Sequence, residues 1–152
     1  PGLILTEDGI KILEVNCRFG DPETQVLLPR LKTDLLEIIL AIVNDELHSI
    51  PIEWEETYAV CVVLCLKGYP DPKEIEIGFP ISGLDSVPQD VLVFHAGTTT
   101  DKLGRVVTNS GRVLSVVALG KSLEEARTRV YEAIKKIHFE GMYFRSDIAL
   151  NV

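Results

Sequence analysis

The sequence is short of several things, and each shortage closes off a class of protein. It has no run of lysines and arginines: 15 basic residues face 23 acidic ones, a net charge of −8, spread along the chain. A nucleic-acid surface, which needs clustered cations, is therefore not expected. No segment approaches the roughly 18 continuous apolar residues of a membrane span, and no cationic-then-apolar leader opens the chain. Three cysteines, Cys17, Cys61 and Cys65, form neither an even disulfide set nor a metal-finger spacing, so a reducing cytoplasm is the simplest setting. Cys61 and Cys65 lie in an apolar run and read as small buried hydrophobes. Internal repeats and low-complexity tracts are also missing. An initiator methionine is absent too: the chain opens on Pro1-Gly2 and reads as a piece of something longer.

What is present is the composition of an ordinary globular protein, 46% apolar and 25% charged, in a length that suits one domain or a small domain with an appendage. An anionic ligand would have to be held locally, by individual cations or a bound metal.

Taken in order, residues 3–6 and 10–16 are β-rich runs separated by Glu7-Asp8-Gly9, a hairpin signal. If the second strand persists, Glu14, Asn16 and Arg18 share a face while Leu13 and Val15 take the other. A carboxylate and an amide oxygen facing one volume suit a hard cation such as Mg²⁺, which commonly bridges protein carboxylates and substrate phosphates. Arg18 on the same side would grip a phosphate or carboxylate. Polar residues on the outer face of a hairpin are common, however, so spacing alone is a weak argument for a metal. Asp21-Pro22 then breaks the strand, and Pro22 is expected to open a short helix over 23–28.

Thr33 is expected to cap a helix whose apolar residues, Leu35, Leu36, Ile38, Ile39, Leu40, Ile42 and Val43, lie nearly all round it, as in a helix buried between layers. A connection with Pro51 follows, in which Trp54 is expected to anchor the linker on a surface. Residues 57–66 are nearly continuous β-branched and apolar, a strand covered on both faces. A turn at 67–72 follows. Ile75 and Ile77 alternate with charges as in a short edge strand, residues 91–95 form another strand, and 105–108 and 112–119 look like strands paired across Asn109-Ser110-Gly111. Ser122 and Glu125 form a capping box, opening a helix striped by Leu123, Ala126, Val130, Ile134 and Ile137. Residues 142–148 are expected to form a last strand or extended segment. The fold class expected is α+β: hairpin and helices, then a mostly antiparallel sheet with a covering helix.

No Ser/His/Asp or Cys/His arrangement suggests nucleophilic catalysis. His48 and His138 read as surface or cap residues. His95 runs from a strand into Ala96-Gly97-Thr98, a small-residue turn that admits a ligand closely, and either lines a site or does not. Lys67 before Gly68 either holds an anion or is solvated.

Several motifs resemble one family closely. Leu-Glu-Val-Asn-Cys-Arg-Phe-Gly-Asp-Pro-Glu-Thr-Gln at 13–25 is similar to the signature of the phosphoribosylamine–glycine ligase (glycinamide ribonucleotide synthetase) family of purine biosynthesis. Lys67-Gly-Tyr-Pro70, Phe94-His-Ala-Gly-Thr98, Val107-Thr-Asn-Ser-Gly-Arg-Val-Leu114, Phe139-Glu-Gly141 and Tyr143-Phe-Arg-Ser-Asp-Ile148 follow in the family's order, so the resemblance spans essentially the whole chain. It departs at Asp71 and Ser110, where the family often has glycine.

The resemblance implies an ATP-grasp enzyme of which this is the C-terminal part. Residues 1–47 would be the end of the ATP-grasp module, 48–56 a linker, and 57–152 the C-terminal ligase domain. The implied reaction joins glycine to 5-phosphoribosylamine, with ATP as substrate and Mg²⁺ or Mn²⁺ as cofactor, through a glycyl phosphate. Glu14 and Asn16 would be metal ligands and Arg18 the catalytic arginine, binding an anionic substrate group. Asp21, Pro22 and Glu23 would shape the loop around substrate, and Lys67, Gly68, Tyr69 and His95 would be substrate contacts from the C-terminal domain. The nucleotide-gripping part lies in the family's upstream domains, which would be this segment's partners, so the segment alone is expected to be inactive. Two rivals are a non-catalytic binding module keeping the fold, and another ATP-grasp amine ligase with a different acceptor.

Overall fold

The computed structural model describes residues 1–150, and the last two residues of the expected 57–152 domain lie outside them. Strand β1 (Gly2–Thr6) and strand β2 (Gly9–Glu14) form the expected antiparallel hairpin, closed over Glu7-Asp8 with Gly9 at φ 101°. β2 ends at Glu14, so Arg18 is not a strand residue: the backbone leaves the ladder before it, and its direction is set by the loop instead.

Helix α1 (Thr24–Leu27) begins two residues after Pro22, with Glu23 as its N-cap, and continues into a 3-10 turn (Leu28–Arg30). The Asp21–Pro22 and Tyr69–Pro70 peptide bonds are cis. Helix α2 (Leu35–Val43) is capped by Asp34, whose carboxylate accepts the Leu36 N–H at 2.7 Å. Thr33 does not cap it, because its hydroxyl is engaged elsewhere: it accepts from the Glu53 N–H and donates to the Pro51 carbonyl. Those bonds, with Lys32 N–H to Glu53 O and Glu55 N–H to Arg30 O, lay the expected linker along residues 30–33. Trp54 sits opposite Leu31 there.

Helix α2 is not buried between layers. Leu36, Ile39, Leu40, Ile42 and Val43 are exposed and only Ala41 is buried, since none of the described residues forms a layer over its apolar faces.

The core lies in the second part of the chain. Strands β3 (Tyr58–Leu66), β4 (Val91–His95), β7 (Arg112–Gly120) and β8 (Met142–Tyr143) form an antiparallel sheet in the order β4-β7-β3-β8. Register places Val60 beside Ala118, Val62 beside Val116 and Leu64 beside Leu114, so every second residue of the two central strands meets on one face. That face receives helix α3 (Leu123–Ile134) through Ala126, Val130, Ala133 and Ile134. Ile137, expected on the helical stripe, is buried in the same core just beyond the helix end. The capping box is real but offset: Ser122 Oγ accepts the Glu125 N–H at 3.1 Å, and the Glu125 carboxylate reaches back to the Lys121 N–H at 2.7 Å.

Two strand expectations fail. Strand β6 (Val106–Thr108) does not pair with β7; it pairs with strand β5 (Thr98–Thr100) in a hairpin whose turn is organised by Asp101, accepting from the Leu103 and Arg105 N–H groups. The reason is that both edges of β7 are already taken by β3 and β4. Residues 75–77 form no strand. The pairing is made slightly later, where Gly78 and Ile81 N–H groups donate to the Thr108 and Val106 carbonyls. The last strand is shorter than expected, limited to the two residues of β8.

Candidate functional site

The loop between β2 and α1 is built from its own polar groups. Gly20 N–H donates to the Glu23 carboxylate at 3.0 Å, while the Thr24 N–H and hydroxyl both donate to the Gly20 carbonyl at 2.9 and 2.7 Å. A Cβ at position 20 would lie 2.4 Å from the Glu23 carboxylate oxygen, so glycine is what lets this side chain fold back over the loop. Gln25 donates to Asp21 Oδ1 at 3.0 Å, and Arg112 donates to the Asp21 carbonyl at 3.0 Å and to its Oδ2 at 2.9 Å.

Four sequence candidates open onto one cleft of about 640 Å³: Glu14, Asn16, Arg18 and Glu23, together with Gly2, Cys17 and Phe19. Asn16 donates its amide nitrogen to Glu14 Oε1 at 3.0 Å, so the two side chains are already in contact without a cation. Among the described residues no three His, Cys, Asp or Glu side chains are grouped to hold an ion. The pair offers an ion two oxygens at most, so the rest of a coordination shell would have to come from elsewhere. Arg18 donates one guanidinium nitrogen to the Phe19 carbonyl at 2.6 Å; the side chain otherwise lines the cleft.

The remaining candidates are dispersed. Pro22 and Tyr69 line a second, apolar cleft of about 360 Å³, with Cys61, Cys65, Arg112, Tyr143 and Arg145. Lys67 and Gly68 line a third of about 390 Å³ among Glu74, Glu76 and Glu140. His95 lines none of these; its Nδ1 lies 2.9 Å from the Thr98 hydroxyl, in the turn that the sequence marked as open to a ligand. Asp21 is partly exposed, but both carboxylate oxygens and its carbonyl are bonded within the protein.

Burial governs the thiols beside the second cleft. It pushes the Cys61 thiol up to about 11, against a hydrogen bond from Ser115 that lowers it, with the Asp21 carboxylate adding a smaller upward push. Cys65 is pushed up for the same reason, opposed by Arg112. Both are protonated thiols at neutral pH and poor nucleophiles.

Arg112 is the site-proximal residue that sequence reasoning passed over. It was visible inside the 107–114 motif, but nothing local says that a side chain at the start of β7 reaches a loop 91 positions earlier.

Comparison with known proteins decides the family. The phosphoribosylglycinamide synthetase C-domain family matches residues 59–151. The chain belongs to that family. Beyond the C domain, similarity continues into the signature loop. A phosphoribosylamine–glycine ligase of Caldanaerobacter subterraneus is 53% identical over 97% of the chain, and the Gallus gallus trifunctional purine biosynthetic protein adenosine-3 is 48% identical over the same share. The crystal structure of phosphoribosylamine–glycine ligase from Thermotoga maritima superposes with a TM-score of 0.71 at 39% identity over 97% of the chain, which agrees with the α+β fold. The chain spans about a third of the length of the bacterial relatives, 34% and 35% of the Caldanaerobacter and Thermotoga proteins, and 15% of the Gallus protein.

Proposed function

We propose that this chain works as the C-terminal part of a phosphoribosylamine–glycine ligase, the enzyme that consumes ATP to join glycine to 5-phosphoribosylamine, releasing ADP and phosphate. In this reading residues 1–47 finish an ATP-grasp module, 48–56 link it, and 57–152 form the C-terminal ligase domain. The observation that carries the reading is the continuity of similarity through both parts, 53% identity over 148 residues that include the whole 13–25 signature.

The chemistry assigned to the cleft follows from its donors. Glu14 and Asn16 would hold Mg²⁺ or Mn²⁺, and such an ion, when bound, offsets the charge that develops on transferring phosphate oxygens. Arg18 presents a planar fork of donors to an anionic substrate group. Glu23 keeps the loop closed by holding Gly20. Lys67, Gly68 and Tyr69, which line separate clefts, and His95, which lines none of them, would meet substrate only if further parts of the protein bring it to them. Upstream domains are the partner this reading requires, and the exposed apolar residues of the hairpin and α2, among them Ile12, Leu13, Leu40 and Val43, are the surfaces they would cover. Three unpaired thiols suit a reducing, cytoplasmic setting, and no helix among the described residues is long and apolar enough to cross a membrane.

The test is ADP release by the full-length polypeptide that carries this chain, with glycine, phosphoribosylamine and Mg²⁺. Glycine-dependent ADP is expected from wild type, a fall of about tenfold or more from Glu14→Gln without loss of folding, and none from residues 1–152 alone. An unchanged rate in Glu14→Gln removes Glu14 from the metal; full activity of the isolated chain overturns the division of labour. ADP release that depends on an acceptor amine other than phosphoribosylamine would move the protein to another ATP-grasp ligase.

A further inference from the structure

Pro22 and α1 pack against the C-terminal sheet, but in hydrogen bonding the signature loop reaches the other described residues at one point. Among the described residues, the hydrogen bonds made by groups of residues 20–25 close inside the loop or into α1, apart from the two that Arg112 donates to Asp21. Arg112 itself stands on rigid ground. It opens β7 opposite Cys65, next to an irregularity in the β3–β7 register, and its carbonyl accepts the Gly97 N–H at 2.8 Å. The neighbouring Gly111 is packed so tightly that a Cβ there would lie 2.6 Å from the Tyr69 ring, and its carbonyl accepts the Leu66 N–H at 2.8 Å. The guanidinium therefore extends from the four-stranded sheet that carries the core to the loop whose other side lines the Glu14–Asn16–Arg18 cleft.

Its two bonds are not redundant. One fixes the backbone of Asp21, and the other fixes its carboxylate, whose second oxygen holds Gln25 at the start of α1. A planar fork can do both at once, and a lysine ammonium cannot reproduce the geometry. From these contacts we infer that Arg112 is a positioning residue for the reaction: it anchors the signature loop to the C-terminal sheet and so sets where Arg18 and Glu23 stand in the cleft. This deepens the function proposed above and rests on it. It assigns the C-terminal sheet a defined part in the reaction, that of holding the active loop rather than supplying reacting groups.

The position matters because small displacements of binding groups carry large rate penalties, up to about a hundredfold for roughly 1 Å. Both partners are partly exposed, with 36% of the Arg112 and 42% of the Asp21 side-chain surface accessible, so the pair contributes little to global stability and its loss should register in the loop.

The experiment uses the full-length polypeptide with Arg112→Ala, Arg112→Lys, Asp21→Asn and the double variant Arg112→Ala/Asp21→Asn. Two readings are taken, glycine-dependent ADP release and amide hydrogen exchange. Each single variant is expected to lower kcat/KM on the order of tenfold, mainly through KM, with Lys failing to rescue Ala. The double variant is expected to be no worse than Arg112→Ala, because Asp21→Asn weakens one of the two bonds that Arg112→Ala already removes. Exchange at Gly20 and Thr24 is expected to rise at least severalfold while the β3 and β7 amides stay protected. Losses that add in the double variant would overturn the inference by giving each residue a separate role. Unchanged exchange at Gly20 and Thr24 in Arg112→Ala would overturn it whether or not the wild-type protein proves to be a ligase. Wild type without glycine-dependent ADP release, but with faster loop exchange in Arg112→Ala, would sink the functional reading and leave an anchored loop that serves no such reaction, which also overturns the catalytic part of the inference.

Discussion

Residues 2–43 and residues 58–143 both carry many aliphatic side chains, yet they treat them in opposite ways. In β3, β7 and α3 such residues are buried almost completely, Leu64, Leu114 and Val116 at 0% exposure. In the hairpin and α2 they stand in solvent, Leu5 at 79% and Val43 at 74%. The difference lies in partners rather than in local pattern. Three elements of the second region cover one another, whereas the hairpin and α2 have no opposing layer among the described residues. The candidate site sits on the uncovered region and is tied to the covered one through Arg112. A rigid scaffold thus holds a loop that stands outside its core, an arrangement common to binding loops.

The largest test of this contrast is truncation of a side chain in each region. Leu64→Ala is expected to cost about 2–5 kcal/mol in urea unfolding, as for a deeply buried leucine, and Ile42→Ala less than about 0.5 kcal/mol. Equal losses would mean that α2 is covered after all, for instance by self-association. Next come two left-handed glycines. Gly83, at φ 80°, has the Lys136 carbonyl 1.7 Å from where a Cβ would sit, while Gly9, at φ 101°, has open space. Gly83→Ala should therefore lose about 2 kcal/mol or more and Gly9→Ala about 1 kcal/mol, the latter from backbone strain alone. A smaller effect separates the helix caps. Ser122→Ala is expected to lower global stability by about 1 kcal/mol, since α3 is part of the core. Asp34→Ala removes an equivalent cap but should reduce helical circular dichroism more than it shifts the unfolding midpoint.

The smallest effect is in alkali. Burial raises the folded Cys61 thiol from 9.0 to about 11, so its contribution is present in full below pH 9 and is lost as pH climbs from 9 to 11, when the unfolded chain ionises first. Because the side chain is not fully enclosed, less than about 1 kcal/mol is expected by pH 10, absent in Cys61→Ala. A thiol reagent at pH 8 should modify exposed Cys17 well before Cys61 or Cys65. Equal rates would mean that the sheet face over the thiols opens readily.

Elements with a strong local signal were legible in advance. Glu7-Asp8-Gly9 announced the first hairpin, Ser122 and Glu125 the start of α3, and the apolar run of 57–66 the strand β3. Thr98–Thr100 was missed because threonines beside a polar turn carry no alternating apolar pattern, and the Asp101 turn that closes that hairpin is made by side-chain bonds. The Thr33 cap was misplaced by one residue, since a hydroxyl and a carboxylate competed for the role and the returning chain at 51–53 took the hydroxyl. Of the candidate site residues close in sequence, Glu14, Asn16, Arg18 and Glu23 share a cleft, while Asp21 and Pro22 between them turn to Arg112 and to the apolar cleft. Those carried from distant motifs do not join them in it, because spacing along a chain says nothing about which loops meet.

Composition, periodicity and motif content by themselves determined the α+β class, the family and the polar loop on which the candidate chemistry rests. These are local properties, written in side-chain type and spacing over a few residues. Tertiary structure alone decided which strands pair, which apolar faces are covered, and that Arg112 holds Asp21. Each of those depends on a choice among competing partners far apart in sequence, and the sheet made the choice when β3 and β4 occupied both edges of β7.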